Sequence, residues 1–294
     1  MSFAGYPPPD HFLGDLGMEA EVTTETTARV RTRVTPQVCS ADGGVRIGVL
    51  ATLVDIVGGA IAARVLRPDW MATADLAVEL VGHPVGPWVE ARGSVLRRGR
   101  TTLVVEALVV AVDEDGADTR VDGAAADPVA WASMTFAVLP AKEDAPTLPQ
   151  AAELPARWAF SGGALTLPVL DALPVTVLDA AAGRVSVPAR PYLHNSFGAV
   201  QGGVVALIAE AAGAEALGAA TGSDGAGTVV TGLQVAYLAL GKVGPIVSSA
   251  RVLAAGPDGR SGAVVELRDA GAAGRLTTVV NVTAAPVGAV RVPA

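Results

Sequence analysis

HNSFGAVQGGVVALIAEAAGAEALG, residues 194–218, is the stretch on which the fold turns. A polar, glycine-containing segment, His194 to Gly203, runs directly into an apolar helical pattern that begins at Val204. On what reads as its buried side, that pattern carries one carboxylate, Glu210. A second stretch, SADGGVRIGVLATLVDIVGGAIAA at 40–63, overlays residues 195–218 without a gap. Gly43, Val45, Gly48, Val49, Ala51 and Gly58 meet Gly198, Val200, Gly203, Val204, Ala206 and Gly213, and Asp55 meets Glu210, 155 positions on. Farther along, TADLAVEL from Thr73 aligns with TGLQVAYL from Thr231 at an offset of 158. So steady an offset marks an internal duplication.

Each copy reads in the same order. Alternating segments, ARVRTRV (28–34) and GRVSVPA (183–189), predict strands. A glycine-containing turn and one long helix follow, about 45–66 and 203–220, and then a run of strands such as TTLVVEALVVAV and GAVVELRD. The segment rich in Pro, Ala and charge at 141–159 predicts a linker between an N-terminal domain, 1–140, and a C-terminal domain, 160–294.

The bulk numbers restrict the function. Of 294 residues, 51% are hydrophobic, enough for a substantial core. Only 4% are aromatic, which hints at an aliphatic rather than an aryl ligand. The formal charge of −8, with no basic face, argues against nucleic acid as a partner. The lone Cys39 fits a reducing compartment. No basic-then-apolar leader opens the sequence, and Arg46, Asp55 and Arg64 interrupt its longest apolar run, so no membrane partner and a cytoplasmic location are expected. No His/Cys spacing points to a metal, and no cofactor is implied.

The pattern N-x-x-G-x-x-x-G-G at Asn195–Gly203, with an acid seven residues after the last glycine, resembles the hotdog fold, and more narrowly the PaaI-like acyl-CoA thioesterases. The resemblance covers both halves, roughly 17–140 and 160–288. It implies an α+β chain of two hotdog domains, each a long helix packed on an antiparallel sheet, with the sheets joined side by side as a double hotdog. The second copy departs from the family motif at Gln201, where His is usual. In the first copy Ser40 stands at the Asn place, Arg46 at the His place and Ile47 at the first helix Gly.

In this family the acid comes from one hotdog and the Asn and Gly amide from the other. Carried over, one site combines Asp55 and Thr73 with Asn195, Gln201 and Gly202, and is expected to be active. The other combines Glu210 and Thr231 with Ser40, Arg46 and the Ile47 amide, and is expected to be weakened or repurposed. Amides at a helix N-terminus suit the oxyanion of a thioester under attack. Glycines 202 and 203 admit an acyl group to the backbone, and a buried acid serves as general base or nucleophile. The basic turn Arg97, Arg98, Arg100 is expected near the phosphates of CoA. The implied substrate is an acyl-CoA or acyl-carrier thioester, and the resemblance leaves a homo-oligomer of double-hotdog units open. Two other readings stand beside hydrolysis. A hotdog hydratase or dehydratase requires a His near the acid, and none follows Asp55 or Glu210 on its helix; a non-catalytic acyl-CoA binder would fit the eroded first-copy motif.

Overall fold

The computed structural model describes residues 8–84, 86–121, 124–125, 128–141, 153–160, 162–255 and 261–287. Two long helices, α1 (Ile47–Val65) and α2 (Gly202–Thr221), lie within a residue or two of the expected spans. The first half supplies strands β1 (Glu19–Val22), β2 (Thr27–Arg33), β3 (Trp70–Leu80), β4 (Trp88–Arg98), β5 (Thr102–Val112) and β6 (Ala130–Leu139). A short strand, β7 (Ala156–Ala159), follows. The second half supplies β8 (Thr176–Asp179), β9 (Arg184–Val187), β10 (Thr228–Tyr237), β11 (Ile246–Ala255), β12 (Ser261–Asp269) and β13 (Arg275–Pro286).

These strands form one 13-stranded sheet, ordered β8-β9-β11-β12-β13-β10-β3-β6-β5-β4-β2-β1-β7. Outward from the β10–β3 seam the two halves repeat the same order, so the duplication seen in the sequence is a duplication of architecture. The seam is antiparallel, with Val235 opposite Leu76 and Leu233 opposite Val78. All four side chains are fully buried. Each contributes roughly 1.5–3 kcal/mol relative to exposure, so the seam is core rather than a surface contact.

Both helices are long and apolar enough to cross a bilayer by length and composition, but most of their residues are buried in the core. Each packs on its own half's strands and against the other helix. That double covering is why both are apolar nearly all round. The strands read by period two: β2 alternates buried Ala28, Val30 and Thr32 with more exposed neighbours.

Residues 142–152 of the expected linker lie outside the described residues, while its end is strand rather than coil. Residues 156–159 pair antiparallel with β1, Trp158 opposite Ala20. Among the described residues, this is the one strand of the sheet without a twin in the other half.

Candidate active site

The turn leading into α2 is built by its own side chains. Asn195 Oδ1 accepts the amides of Phe197 (2.9 Å) and Ala199 (3.1 Å), closing an Asx-type turn. Gly198 sits there at φ +68°, the left-handed region that a side chain disfavours. Gln201 is the N-cap. Its Oε1 accepts the Val204 amide at 3.1 Å, and its Nε2 donates to Asp55 Oδ2 at 2.9 Å. One side chain thus caps α2 and holds the acid of α1. Among the described residues the Gly202 N–H, in the first turn of α2, has no protein partner. A Cβ on Gly202 would lie 2.7 Å from Asp55 Oδ2, so only glycine lets the helix mouth and the carboxylate meet.

Asp55 receives a second neutral hydrogen bond, from Thr73 Oγ1 at 3.1 Å. No cation pairs with it among the described residues. Burial pushes its pKa up to about 6, against the opposing effect of the Thr73 hydroxyl. Asp55, Thr73, Asn195, Gln201 and Gly202 all line one cavity of about 720 Å³. The structure therefore brings together the five residues expected at the first site, from both halves of the chain.

The twin arrangement around Glu210 is different. Its carboxylate accepts Arg46 Nη1 at 3.0 Å and the Gly48 amide at 2.9 Å, and only 3% of the residue is exposed. Glu210 thereby caps α1 from the opposite helix. Burial still leaves its pKa raised, against the pull of the Arg46 guanidinium and the Gly48 amide. A Cβ on Gly48 would meet Leu207 at 2.7 Å and Glu210 Oε2 at 2.8 Å, which leaves no gap for a substrate group. Thr231 lies at a bulge of β10 and makes no hydrogen bond to Glu210 among the described residues. Ser40 turns to Asp42 and the Gly44 carbonyl.

Gly203 has a packing role: a Cβ there would lie 2.3 Å from Thr52 Oγ1, so it sets how closely α2 approaches α1. Arg97 and Arg98 end β4 and Arg100 follows in the turn; all three are exposed, with no acid partner among the described residues. Beyond that turn Thr102 pairs with Ala137, which pairs with the cavity residue Ala72. The turn is thus two strands, about 10 Å, from the cavity wall.

Sequence reasoning missed the aromatic residues here. The chain has 5 Phe, 4 Trp and 3 Tyr, and five of these twelve, Phe136, Trp158, Phe160, Phe197 and Tyr237, line this cavity. The chain-wide average hid that concentration, so it carried no information about the ligand. Tyr237 donates to the Gly202 carbonyl at 3.0 Å. Burial first, then the nearby Asp55 and Asp75 carboxylates, push its pKa well above the usual tyrosine value, so it stays protonated. The signal available was its position at the end of the strand aligned with Thr73.

Comparison with known proteins agrees with this architecture. Residues 45–117 match the family model of the thioesterase superfamily. No curated protein matches the chain. Among solved structures, the tesB protein of Mycobacterium avium subs paratuberculosis is 14% identical, covers 94% of this chain and 97% of its own, and superposes with a TM-score of 0.59. An acyl-ACP thioesterase from Bacteroides thetaiotaomicron is 15% identical over 89% of this chain and 100% of its own, with a TM-score of 0.52. The 12:0-ACP thioesterase from Umbellularia californica is 10% identical over 88% and 94%, with a TM-score of 0.55. At such identities the likeness is one of fold. The repeated strand order, the duplicated motif at the helix entry and these full-length likenesses show a tandem double hotdog, whose first half is similar to the thioesterase superfamily over residues 45–117.

Proposed function

We propose that this chain hydrolyses acyl-CoA thioesters at the Asp55 site alone. The observation that carries the proposal is a carboxylate held only by neutral donors, with its pKa near 6, in a cavity opposite the partner-free Gly202 amide. The thioester carbonyl oxygen takes the Gly202 N–H, at the positive end of a 20-residue helix. Asp55, ionised at neutral pH, takes a proton from water as the water oxygen bonds to the carbonyl carbon. The C–S bond then breaks, the carbonyl re-forms as a carboxylic acid, and protonated Asp55 gives its proton to the leaving thiolate. Thr73 and Gln201 orient the carboxylate, and Tyr237 steadies the Gly202 peptide through its carbonyl. Arg97, Arg98 and Arg100 suit the CoA phosphates, because guanidinium donors match phosphate oxygens. Among the described residues no histidine lines the cavity, which favours hydrolysis over hydration. A reducing, cytoplasmic setting belongs to the proposal: Cys39 is half-buried, and burial raises its thiol pKa.

The test is release of free thiol from a panel of acyl-CoAs, wild type against Asp55→Asn. Wild-type turnover that the substitution abolishes is the expected result. Tight binding without release from any acyl-CoA would identify a binding protein instead.

A further inference from the structure

Resting on that reading, we propose that the cavity beside Asp55 is a hydrocarbon channel along an uncovered face of α1, sized for straight acyl chains of about nine carbons. Gly59 keeps it open, and Trp158 with Phe160 closes it.

Ile56, Gly59, Ala60 and Ala63 follow Asp55 at helical spacing on one face, and all four line the cavity. On α2 the corresponding face is covered. Ala211 and Ala214 are 6% and 7% exposed. A Cβ on Gly218 would lie 2.4 Å from the Asp224 carbonyl oxygen, and one on Gly225 would lie 2.5 Å from Glu215 Oε1. The segment between α2 and β10 lies over that helix. The connection from α1 to β3 spans only residues 66–69, and among the described residues it leaves this face of α1 partly exposed. A Cβ on Gly59 would meet nothing within 4 Å.

The far wall comes from the strand without a twin. Trp158 lies directly across from buried Ala20, so the two share a face of the sheet. The Phe160 amide donates to the Met18 carbonyl at 2.9 Å, which anchors the wall. With Met71 and Phe136, and among the described residues, this arm offers a chain no charged group beyond Asp55 and no hydroxyl beyond Thr73. Ser196, Thr277 and Thr278 lie on the second-half side of the cavity, which suits the amide-bearing thiol arm of CoA. Eight residues of helix from Asp55 to Ala63 span about 12 Å, and an extended chain built from 1.52 Å bonds advances about 1.3 Å per carbon.

The experiment measures kcat/KM for saturated acyl-CoAs from acetyl to palmitoyl, with phenylacetyl-CoA beside them. We expect a maximum at octanoyl to decanoyl, with phenylacetyl well below it. Gly59→Leu should lower the decanoyl-to-butanoyl ratio by about tenfold or more. Trp158→Ala should move the optimum toward longer chains, the opposite sign. Leucine improves helix propensity at position 59, so loss of fold is not the expected cause. A flat profile, a phenylacetyl optimum, or a Gly59→Leu effect equal at every length would overturn the channel while leaving hydrolysis intact. If the wild type releases thiol from no acyl-CoA, hydrolysis itself fails. Calorimetric binding of free fatty acids of the same lengths then reads the channel, and binding independent of length overturns it.

Discussion

Asp55 and Glu210 are twins in sequence and opposites in environment. Asp55 meets a hydroxyl and an amide and opens on a cavity; Glu210 meets a guanidinium and a backbone N–H and is sealed. The residue at each helix entry makes the difference. Gln201 satisfies α2 with its own side chain and gives Asp55 an uncharged donor, so the carboxylate keeps an elevated pKa. Arg46 makes no capping bond with its side chain, and Glu210 caps α1 in its place. The same fold thus yields an acid that opens on a cavity on one side and a clamp on the other.

The sharpest way to break this contrast is Asp55→Asn, expected to reduce kcat by about 10²- to 10⁴-fold in thiol-release assays. The same variant should be more heat-stable than wild type at pH 8. The folded pKa of about 6 exceeds the unfolded value. The native state therefore holds the extra proton between about pH 4 and pH 6, and stability falls as pH rises through that window. Asparagine removes the cost of ionisation, so the melting temperatures should converge toward pH 4.

Glu210→Gln should do the reverse. It leaves Arg46 facing a neutral partner and should cost about 1–3 kcal/mol by denaturant titration, a figure discounted because Arg46 is partly solvated. Turnover per folded molecule should stay at the wild-type value. If Glu210→Gln is inactive and Asp55→Asn is not, the roles are reversed.

Gln201→Ala sharpens the comparison. It removes a donor to the ionised carboxylate, so the acidic limb of the kcat/KM profile should move above its wild-type position near pH 6. The lost cap should cost about 1 kcal/mol in stability. Tyr237→Phe is the mildest change. It deletes one hydrogen bond to the Gly202 carbonyl, worth about 1 kcal/mol, so a several-fold fall in kcat with the pH limb unmoved is expected.

The repeat and both long helices were legible in the sequence, because a duplication leaves a near-constant offset; the meeting of Asp55 with Gln201 and Gly202 was legible only through what the family resemblance implied. Three things were not. The seal on Glu210 depends on Arg46 reaching across a helix pair, and side-chain reach leaves no periodic signal. Gly203 looked like a substrate contact because a glycine pair before a helix reads alike whether the space belongs to a ligand or to Thr52. The end of the presumed linker pairs with β1 through backbone hydrogen bonds, which a Pro- and Ala-rich composition does not announce.

The antiparallel seam between β3 and β10 has a consequence for how such a molecule changes over time. In an assembly of two identical subunits every codon is expressed at both symmetry-related positions, so a substitution that strengthens one catalytic centre alters its mate as well. Covalent fusion releases that constraint. One half can then drift toward mechanical reinforcement while the other keeps its chemistry, and a lost centre becomes a brace for the one retained.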